Sequence, residues 1–143
     1  MSRSPVVAVD PEAEARECYE KALKLQPDFP EALNNLGMLV GRAGDLERAE
    51  AYFKDALARR DDYGEAAGNL ALVLVARGQT SAAIEMLEEF LGRHPAHEGT
   101  YITLAKIYVR AQRTDEARSL LERLLQKSPN HTQAREILDQ IRK

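Results

Sequence analysis

The chain has 143 residues, enough for one globular domain with a buried core. With 44% hydrophobic and 30% charged residues its composition is that of an ordinary soluble protein, and its abundant Ala, Leu, Glu and Arg favour helices. The net charge of −3 argues against a nucleic-acid partner, the single cysteine excludes an intrachain disulfide, and no apolar run is long enough to span a membrane.

Residues 1–10 form the first predicted segment, which we expect to be flexible. Arg3 is followed by only four apolar residues, 6–9, whereas a secretory signal needs a longer apolar core. For the chain as given we therefore expect a cytoplasmic location and no membrane insertion. Asp10 and Pro11 then begin the first helix, because Asp caps a helix and Pro suits its first turn.

The rest of the chain repeats itself every 34 residues, and this period decides the architecture before any single helix is assigned. Leu36-Gly37 is followed at this spacing by Leu70-Ala71 and Leu104-Ala105. The same spacing links four further sets: Ala49, Ala83 and Ala117; Gly44, Gly78 and Gln112; Leu23, Leu57, Leu91 and Leu125; Pro27, Asp61, Pro95 and Pro129. So many coincidences at one offset indicate a true repeat.

These residues resemble the tetratricopeptide repeat, whose pattern runs from an aromatic residue through Leu-Gly and Tyr to a later Ala, Phe, Ala and Pro. In 30–63 the resemblance is carried by Leu33, Leu36, Gly37, Val40, Ala49, Phe53 and Ala56. In 98–131 it is carried by Tyr101, Leu104, Ala105, Tyr108, Ala117, Leu121 and Pro129. The resemblance implies an all-α fold, a right-handed superhelical α-solenoid of antiparallel helix pairs.

In chain order, the repeats predict eight helices, at about 11–26, 30–43, 46–60, 64–77, 80–93, 98–111, 114–127 and 131–142. We expect one domain over 11–143, in which a half-repeat at 11–29 precedes three full repeats at 30–63, 64–97 and 98–131. A capping helix at 132–143 follows. Because Arg135 and Arg142 replace the apolar residues of earlier repeats, we expect no partner helix beyond this cap.

One departure from the family pattern concerns the core. Phe53 and Ala56 of the first full repeat are followed at the 34-residue spacing by Leu87 and Phe90. The smaller side chain at the first position is thus offset by a larger one a helical turn later. This predicts a core that is packed differently but has a similar total side-chain volume.

The first helix lacks an antiparallel mate in the predicted array. Cys18, Tyr19 and Leu23 therefore present apolar surface that needs a cover. Three arrangements stay open: preceding residues that are not part of this chain, the apolar run at 6–9 folded over the gap, or a second chain in a homodimer.

In such a solenoid the first helix of each pair lines a concave inner face, and helical spacing predicts which residues lie on it. The residues that we expect to line a peptide-binding groove are Asn34, Asn35, Met38, Asn69, Leu72, Val75, Ile102, Thr103, Lys106 and Arg110. The apolar members would capture a peptide or helix, or else pack against neighbouring inner helices. Asn35, Asn69 and Thr103 share one register, so they could hydrogen-bond an extended backbone. Lys106 and Arg110 could meet an acidic ligand or form a solvated face.

The family's best-known ligand site, a cationic clamp for a C-terminal carboxylate, is absent from this sequence. The residues at the matching positions are Asn34, Met38, Asn69, Gly99 and Thr103. Of these only Asn69 agrees with the clamp.

Side chains for catalysis or metal binding are too few to form a site. His94 and His97 lie within one turn and no cysteine pair is near, so we expect no metal and no cofactor. His97 shares its register with Phe29, Tyr63 and His131, which predicts a packing position at each turn between repeats. No phosphate loop or nucleophile motif is present, and we expect no enzyme.

The sequence therefore favours a scaffold or adaptor that binds a peptide or helical segment of a partner protein in its concave groove. The first alternative is a structural module that self-associates, either through the first helix or end to end. Residues 1–71 carry nine basic and 14 acidic residues, whereas 72–143 carry 11 and nine. The second alternative is the substrate-recruiting part of a larger enzyme, which the row of asparagines favours.

Overall fold

The protein is an all-α helical repeat, described by a computed structural model over residues 10–142. These residues form eight helices: α1 (Pro11–Leu25), α2 (Pro30–Arg42), α3 (Leu46–Arg59), α4 (Gly64–Ala76), α5 (Thr80–Arg93), α6 (Glu98–Arg110), α7 (Thr114–Lys127) and α8 (Thr132–Ile141). Each predicted helix is confirmed to within one residue at either end. No strand occurs within the described range.

The first helix begins as the sequence predicts. The Asp10 side chain accepts a hydrogen bond of 3.0 Å from the Glu12 N–H, and Pro11 occupies the first turn. Asp45 caps α3 in the same way, accepting from the Arg48 N–H over 3.1 Å. These carboxylates satisfy N–H groups that the helices themselves leave free.

The helices stack as consecutive hairpins. α2 packs on α3, α4 on α5 and α6 on α7, and each hairpin also contacts the next. The even-numbered helices α2, α4, α6 and α8 contact one another in sequence and so form a continuous inner wall. The odd-numbered helices lie outside it.

The main core runs between the two layers, from Val40 to Leu138. Small residues of the 34-residue register let the layers approach, and Ala49, Ala83 and Ala117 are fully buried. The inner and outer helices approach closely at Gly37, where an added Cβ would stand 2.6 Å from Cε1 of Phe53. The close crossing of inner and outer helices therefore depends on these small side chains.

The turn inside each hairpin requires a left-handed residue. Gly44 and Gly78 have φ of 95° and 80°, which glycine adopts at little cost. In the third repeat the equivalent residue is Gln112, which adopts φ of 62° with a full side chain. The same turn geometry is thus imposed on a residue that does not favour it.

We expect Gln112→Gly to stabilise the protein by about 0.5–1 kcal/mol, because relief of the left-handed backbone exceeds the greater freedom that glycine gives the unfolded chain. The reverse exchange, Gly78→Gln, serves as the matched control and should destabilise by a similar amount. Urea unfolding measures both. A destabilising Gln112→Gly would show that the Gln112 side chain makes a contact worth more than its backbone costs.

The first helix is packed on one side only. α1 has no buried residue, and its Leu23 reaches the small apolar cluster around Leu33 and Tyr63. Leu25 is 89% exposed and Cys18 is also exposed. The apolar run at 6–9 that was one candidate cover lies outside the described residues.

Candidate functional site

A groove crosses the inner wall between α2, α4 and α6 and encloses about 530 Å³. The predicted site residues that line it are Asn34, Met38, Asn69, Leu72 and Thr103. Four other residues of its lining, Gly64, Glu65, Gly68 and Gly99, belong to the same inner helices. Helical spacing alone therefore located half of the predicted set on one continuous surface.

An apolar depression adjoins the groove where α3 begins, and we call it the first socket. It encloses about 240 Å³, and it shares Met38, Asn69 and Leu72 with the groove. Its remaining lining is largely apolar, with Leu46 and Phe53 among its residues, and Arg42 is the one charged residue in it. Leu72 is 52% exposed between the two cavities, so a large apolar side chain faces solvent where the inner wall is indented.

The asparagine pair of the groove differs from the predicted row. Asn69 Nδ2 donates to Asn34 Oδ1 over 3.0 Å, across a sequence separation of 35 rather than 34. Asn35, which shares the register of Asn69, does not line the groove. The contact between the two helices therefore joins neighbouring registers, Asn34 with Asn69, and a row of Asn35, Asn69 and Thr103 along a ligand stays a prediction.

Ile102 is the predicted groove residue that the structure places in the core. It is 5% exposed and belongs to the main apolar cluster. Asn34 and Gly68 occupy the equivalent position in the two preceding repeats, and both face the next inner helix. Asn34 bonds Asn69 of α4, and Gly68 lies against Thr103 of α6. Since Ile102 occupies this position on α6, it faces the next inner helix, α8, which packs on α6. The expectation that Ile102 offers apolar surface to a ligand is wrong.

Val75 and Arg110 line a separate depression, which we call the second socket. It encloses about 230 Å³ at the ends of α4 and α6, together with Thr80, Ile107 and Ala111. Lys106, one turn before Arg110 on α6, is exposed and lines neither cavity.

The four residues of the inter-repeat register are the caps of the inner helices. Phe29, Tyr63, His97 and His131 precede α2, α4, α6 and α8, respectively. Nδ1 of His97 accepts from the Thr100 N–H over 3.2 Å, and its ring lies where a Cβ on Gly64 would be only 2.0 Å from Nε2. His97 also lines the groove, a role that its register had not revealed.

Acidic and basic groups lie at opposite ends of two inner helices, α2 and α6. Glu31 lies in the first turn of α2 and pairs with Arg60. A hydrogen bond with its own backbone and the nearby guanidinium lower the pKa of Glu31. Arg60 also lies 3.9 Å from the centroid of the Tyr63 ring, so it is already engaged.

The basic ends of α2 and α6 are free by comparison. Arg42 and Arg110 occupy the last turns of these helices, and both are exposed, as is Lys106. Within residues 10–142 none of the three joins an ion pair. One edge of the inner wall therefore offers unpaired cations to a ligand.

Two sequence models of the tetratricopeptide repeat family together match nearly all of the described residues. One matches residues 42–89 and 74–141, and the other matches residues 13–65. The chain belongs to the tetratricopeptide repeat family. A comparison of this repeat protein with curated protein sequences gives no match.

Several solved structures share the fold of this tetratricopeptide repeat protein. MamA is 20% identical with a TM-score of 0.68, and the match covers 94% of this chain and 84% of MamA. TTC0263, a thermophilic TPR protein of Thermus thermophilus, is 20% identical with a TM-score of 0.78, covering 91% and 72%. YrrB, described as a TPR protein with an unusual peptide-binding site, is 21% identical with a TM-score of 0.64, covering 91% and 67%. At these identities the likeness concerns the fold.

Two further properties concern the described range of 10–142. Its helices are too short or too polar to cross a membrane. It also holds no group of three or more His, Cys, Asp or Glu side chains arranged to hold a metal ion.

Proposed function

We propose that this tetratricopeptide repeat protein is an interaction module that holds a peptide or helical segment of a partner protein in its groove, without catalysis. The observation that carries the proposal is Leu72, a large apolar side chain exposed between the groove and the first socket. A contiguous indented apolar surface of this kind is what capture of a peptide or helix requires.

The amides beside Leu72 add a means of holding a backbone. The bond from Asn69 Nδ2 to Asn34 Oδ1 fixes the orientation of both side chains and leaves the Asn69 oxygen as an acceptor. An extended peptide offers N–H groups that such an oxygen can accept without regard to sequence. The peptide-binding site in the description of YrrB, which has the same fold, also supports the proposal.

A displayed library of random dodecapeptides, selected on the full chain, tests the proposal. We expect enrichment on the wild-type protein and its loss on Leu72→Asp. A bound apolar side chain would remove water from the new carboxylate at the mouth of the first socket, which costs free energy. The loss should be about tenfold or more in the affinity of the most enriched peptide.

Leu25→Asp is the matched control, since Leu25 is even more exposed but lies on α1, outside the groove. This variant should retain the enriched peptides at wild-type affinity. Equal binding by Leu72→Asp and the wild type, or an equal loss in both variants, would refute the proposed groove.

Self-association is the second candidate function, and the exposure of Leu25 on the one-sided helix α1 favours it. In that case sedimentation of the wild type at several concentrations reveals a dimer that Leu25→Asp dissociates. The adaptor role and the cytoplasmic location stay predictions.

A further inference from the structure

Three polar side chains of the groove present hydrogen-bond acceptors to a ligand. Asn69 donates through Nδ2 to Asn34, which leaves its Oδ1 with two lone pairs that can accept. Thr103 donates its hydroxyl proton to the Gly99 carbonyl over 3.1 Å, so its Oγ1 also faces a ligand as an acceptor. The third is Glu65, whose ionised carboxylate can only accept. A ligand that satisfies all three must bring hydrogen-bond donors.

The three acceptors surround Gly68. Glu65 and Asn69 lie four residues apart on α4 and therefore share one face of the helix, with Gly68 between them in the chain. Thr103 reaches the same place from α6, because its Oγ1 lies 3.6 Å from where a Cβ on Gly68 would stand. Since Gly68 has no side chain, the space among the acceptors stays open as part of the groove.

The charge of the groove comes from Glu65. Among residues 10–142 it is the one charged residue of the lining, and it is exposed in the first turn of α4 without an ion pair. The first-turn carboxylates of α2 and α6 differ, since Glu31 pairs with Arg60 and Glu98 lies 3.6 Å from Nε2 of His131. Glu65 therefore lacks the partner that these two carboxylates have.

The cations of the inner wall lie away from Glu65. Arg42, Lys106 and Arg110 belong to the C-terminal halves of α2 and α6, whereas Glu65 lies near the N-terminal end of α4. The His97 ring lines the groove but accepts a backbone N–H at Nδ1, which requires that nitrogen to be unprotonated. A cation that pairs with Glu65 would therefore have to come from the ligand.

We infer that the groove takes up a Lys or Arg side chain of its peptide ligand, with the charged group over Gly68 among Glu65, Asn69 and Thr103. An ammonium carries three N–H donors and a guanidinium five, enough for the three acceptors. Leu72 lies four residues after Gly68, about 6 Å along α4. In an extended segment, side chains two positions apart share a face at about this spacing.

The expected ligand therefore carries an apolar residue, which covers Leu72 and enters the first socket, two positions from a Lys or Arg. Burial of the exposed part of Leu72 supplies affinity, and the paired carboxylate of Glu65 supplies the preference for a base. This inference rests on the proposed function and specifies its ligand.

The dodecapeptide library selected on the full chain tests this specificity by the sequences it yields. We expect the wild-type pool to pair an apolar residue with Lys or Arg two positions away. Glu65→Gln keeps the size of the side chain but removes its charge. This variant should lose the basic preference and bind the most enriched wild-type peptide about tenfold more weakly.

Glu47→Gln is the matched control. Glu47 is also the second residue of its helix, exposed and without an ion pair in the described part of the chain, but it lies on α3 outside the groove. Both substitutions therefore remove the same favourable interaction with a helix N-terminus. The control should keep the wild-type pool and affinity.

A second variant separates direct contact from attraction at a distance. Thr103→Val has nearly the same shape but lacks the Oγ1 acceptor, and it leaves the charge of the groove unchanged. It should weaken binding of the most enriched wild-type peptide about three- to tenfold. Glu65→Lys reverses the charge and should select Asp or Glu in place of the base. An unchanged affinity of Thr103→Val would overturn the placement of the base over Gly68.

The outcomes separate the two proposals. A wild-type pool that depends on Leu72 but has no basic preference, or whose basic preference survives Glu65→Gln, overturns the inference alone. An equal loss in Glu47→Gln also overturns it, since a negative charge anywhere on the protein would then suffice. A wild-type chain that enriches no peptide overturns the proposed function as well. A second copy as the occupant would appear in sedimentation as a dimer broken by Leu72→Asp, which would also overturn the inference.

Discussion

Ile102→Asp should destabilise the protein by roughly 3–5 kcal/mol and release α8 from the inner wall. Ile102 is 5% exposed within the main apolar cluster and faces α8 by its register. The substitution removes buried apolar surface and places a carboxylate among apolar side chains. Hydrogen exchange should show lost protection in α8 first, because each repeat of a solenoid is stabilised mainly by its neighbours.

Two variants calibrate this result. Ile102→Val keeps the side chain apolar and should cost only about 0.5–1.5 kcal/mol. Leu72→Asp carries the same charge on an exposed site of the preceding inner helix and should leave the stability near that of the wild type. If Ile102→Asp melted like the wild type with α8 still protected, Ile102 would lie on the open face and the described packing of α6 against α8 would be wrong.

The contrast between Ile102 and Leu72 marks where sequence reasoning reached its limit. The 34-residue period predicted every described helix, because the period, the turn glycines and the prolines all constrain the same boundaries. Helical spacing also predicted which face of each inner helix turns inward. It could not predict which inward residues the next inner helix covers, because that depends on how neighbouring helices are offset.

The offset is visible in the amide pair. Asn35 and Asn69 occupy equivalent positions, 34 residues apart, in successive repeats. The residue that is hydrogen-bonded to Asn69 is nevertheless Asn34. Contacts between successive inner helices thus join a position of one repeat to the following position of the next. The same rule buries Ile102, and it could not be read from a period that only relates equivalent positions.

The core of the first full repeat contains a contact in which a small residue of the inner helix is matched by a large residue of the outer helix. Gly37 and Phe53 are replaced at the 34-residue spacing by Ala71 and Leu87. The Phe53 ring lies directly against Gly37, so the missing methyl group on one helix makes room for the larger side chain on the other. Leu87 needs less room, which is consistent with Ala71 at the equivalent site. This exchange between an inner and an outer helix is distinct from the predicted shift of volume from Phe53 and Ala56 to Leu87 and Phe90 along the outer helices.

Gly37→Ala should consequently destabilise the protein by about 1–3 kcal/mol. The added Cβ would stand 2.6 Å from Cε1 of Phe53, and the ring cannot move aside because it is itself buried in the core. Without this contact, alanine would stabilise the helix by about 0.5–1 kcal/mol over glycine. The exposed Gly92 of α5 provides that reference, since nothing lies within 4 Å of a Cβ there and Gly92→Ala should be stabilising.

The double variant Gly37→Ala/Phe53→Leu identifies the cause. It reproduces the pair of Ala71 and Leu87 that the next repeat uses, so the clash disappears while Phe53→Leu alone leaves a cavity. The two substitutions should therefore be less destabilising together than the sum of their separate effects, with a coupling of about 1–2 kcal/mol in a urea-unfolding cycle. Additive effects would mean that Gly37→Ala acts through the backbone of α2, and that the approach of inner to outer helix does not depend on the size of the ring at Phe53.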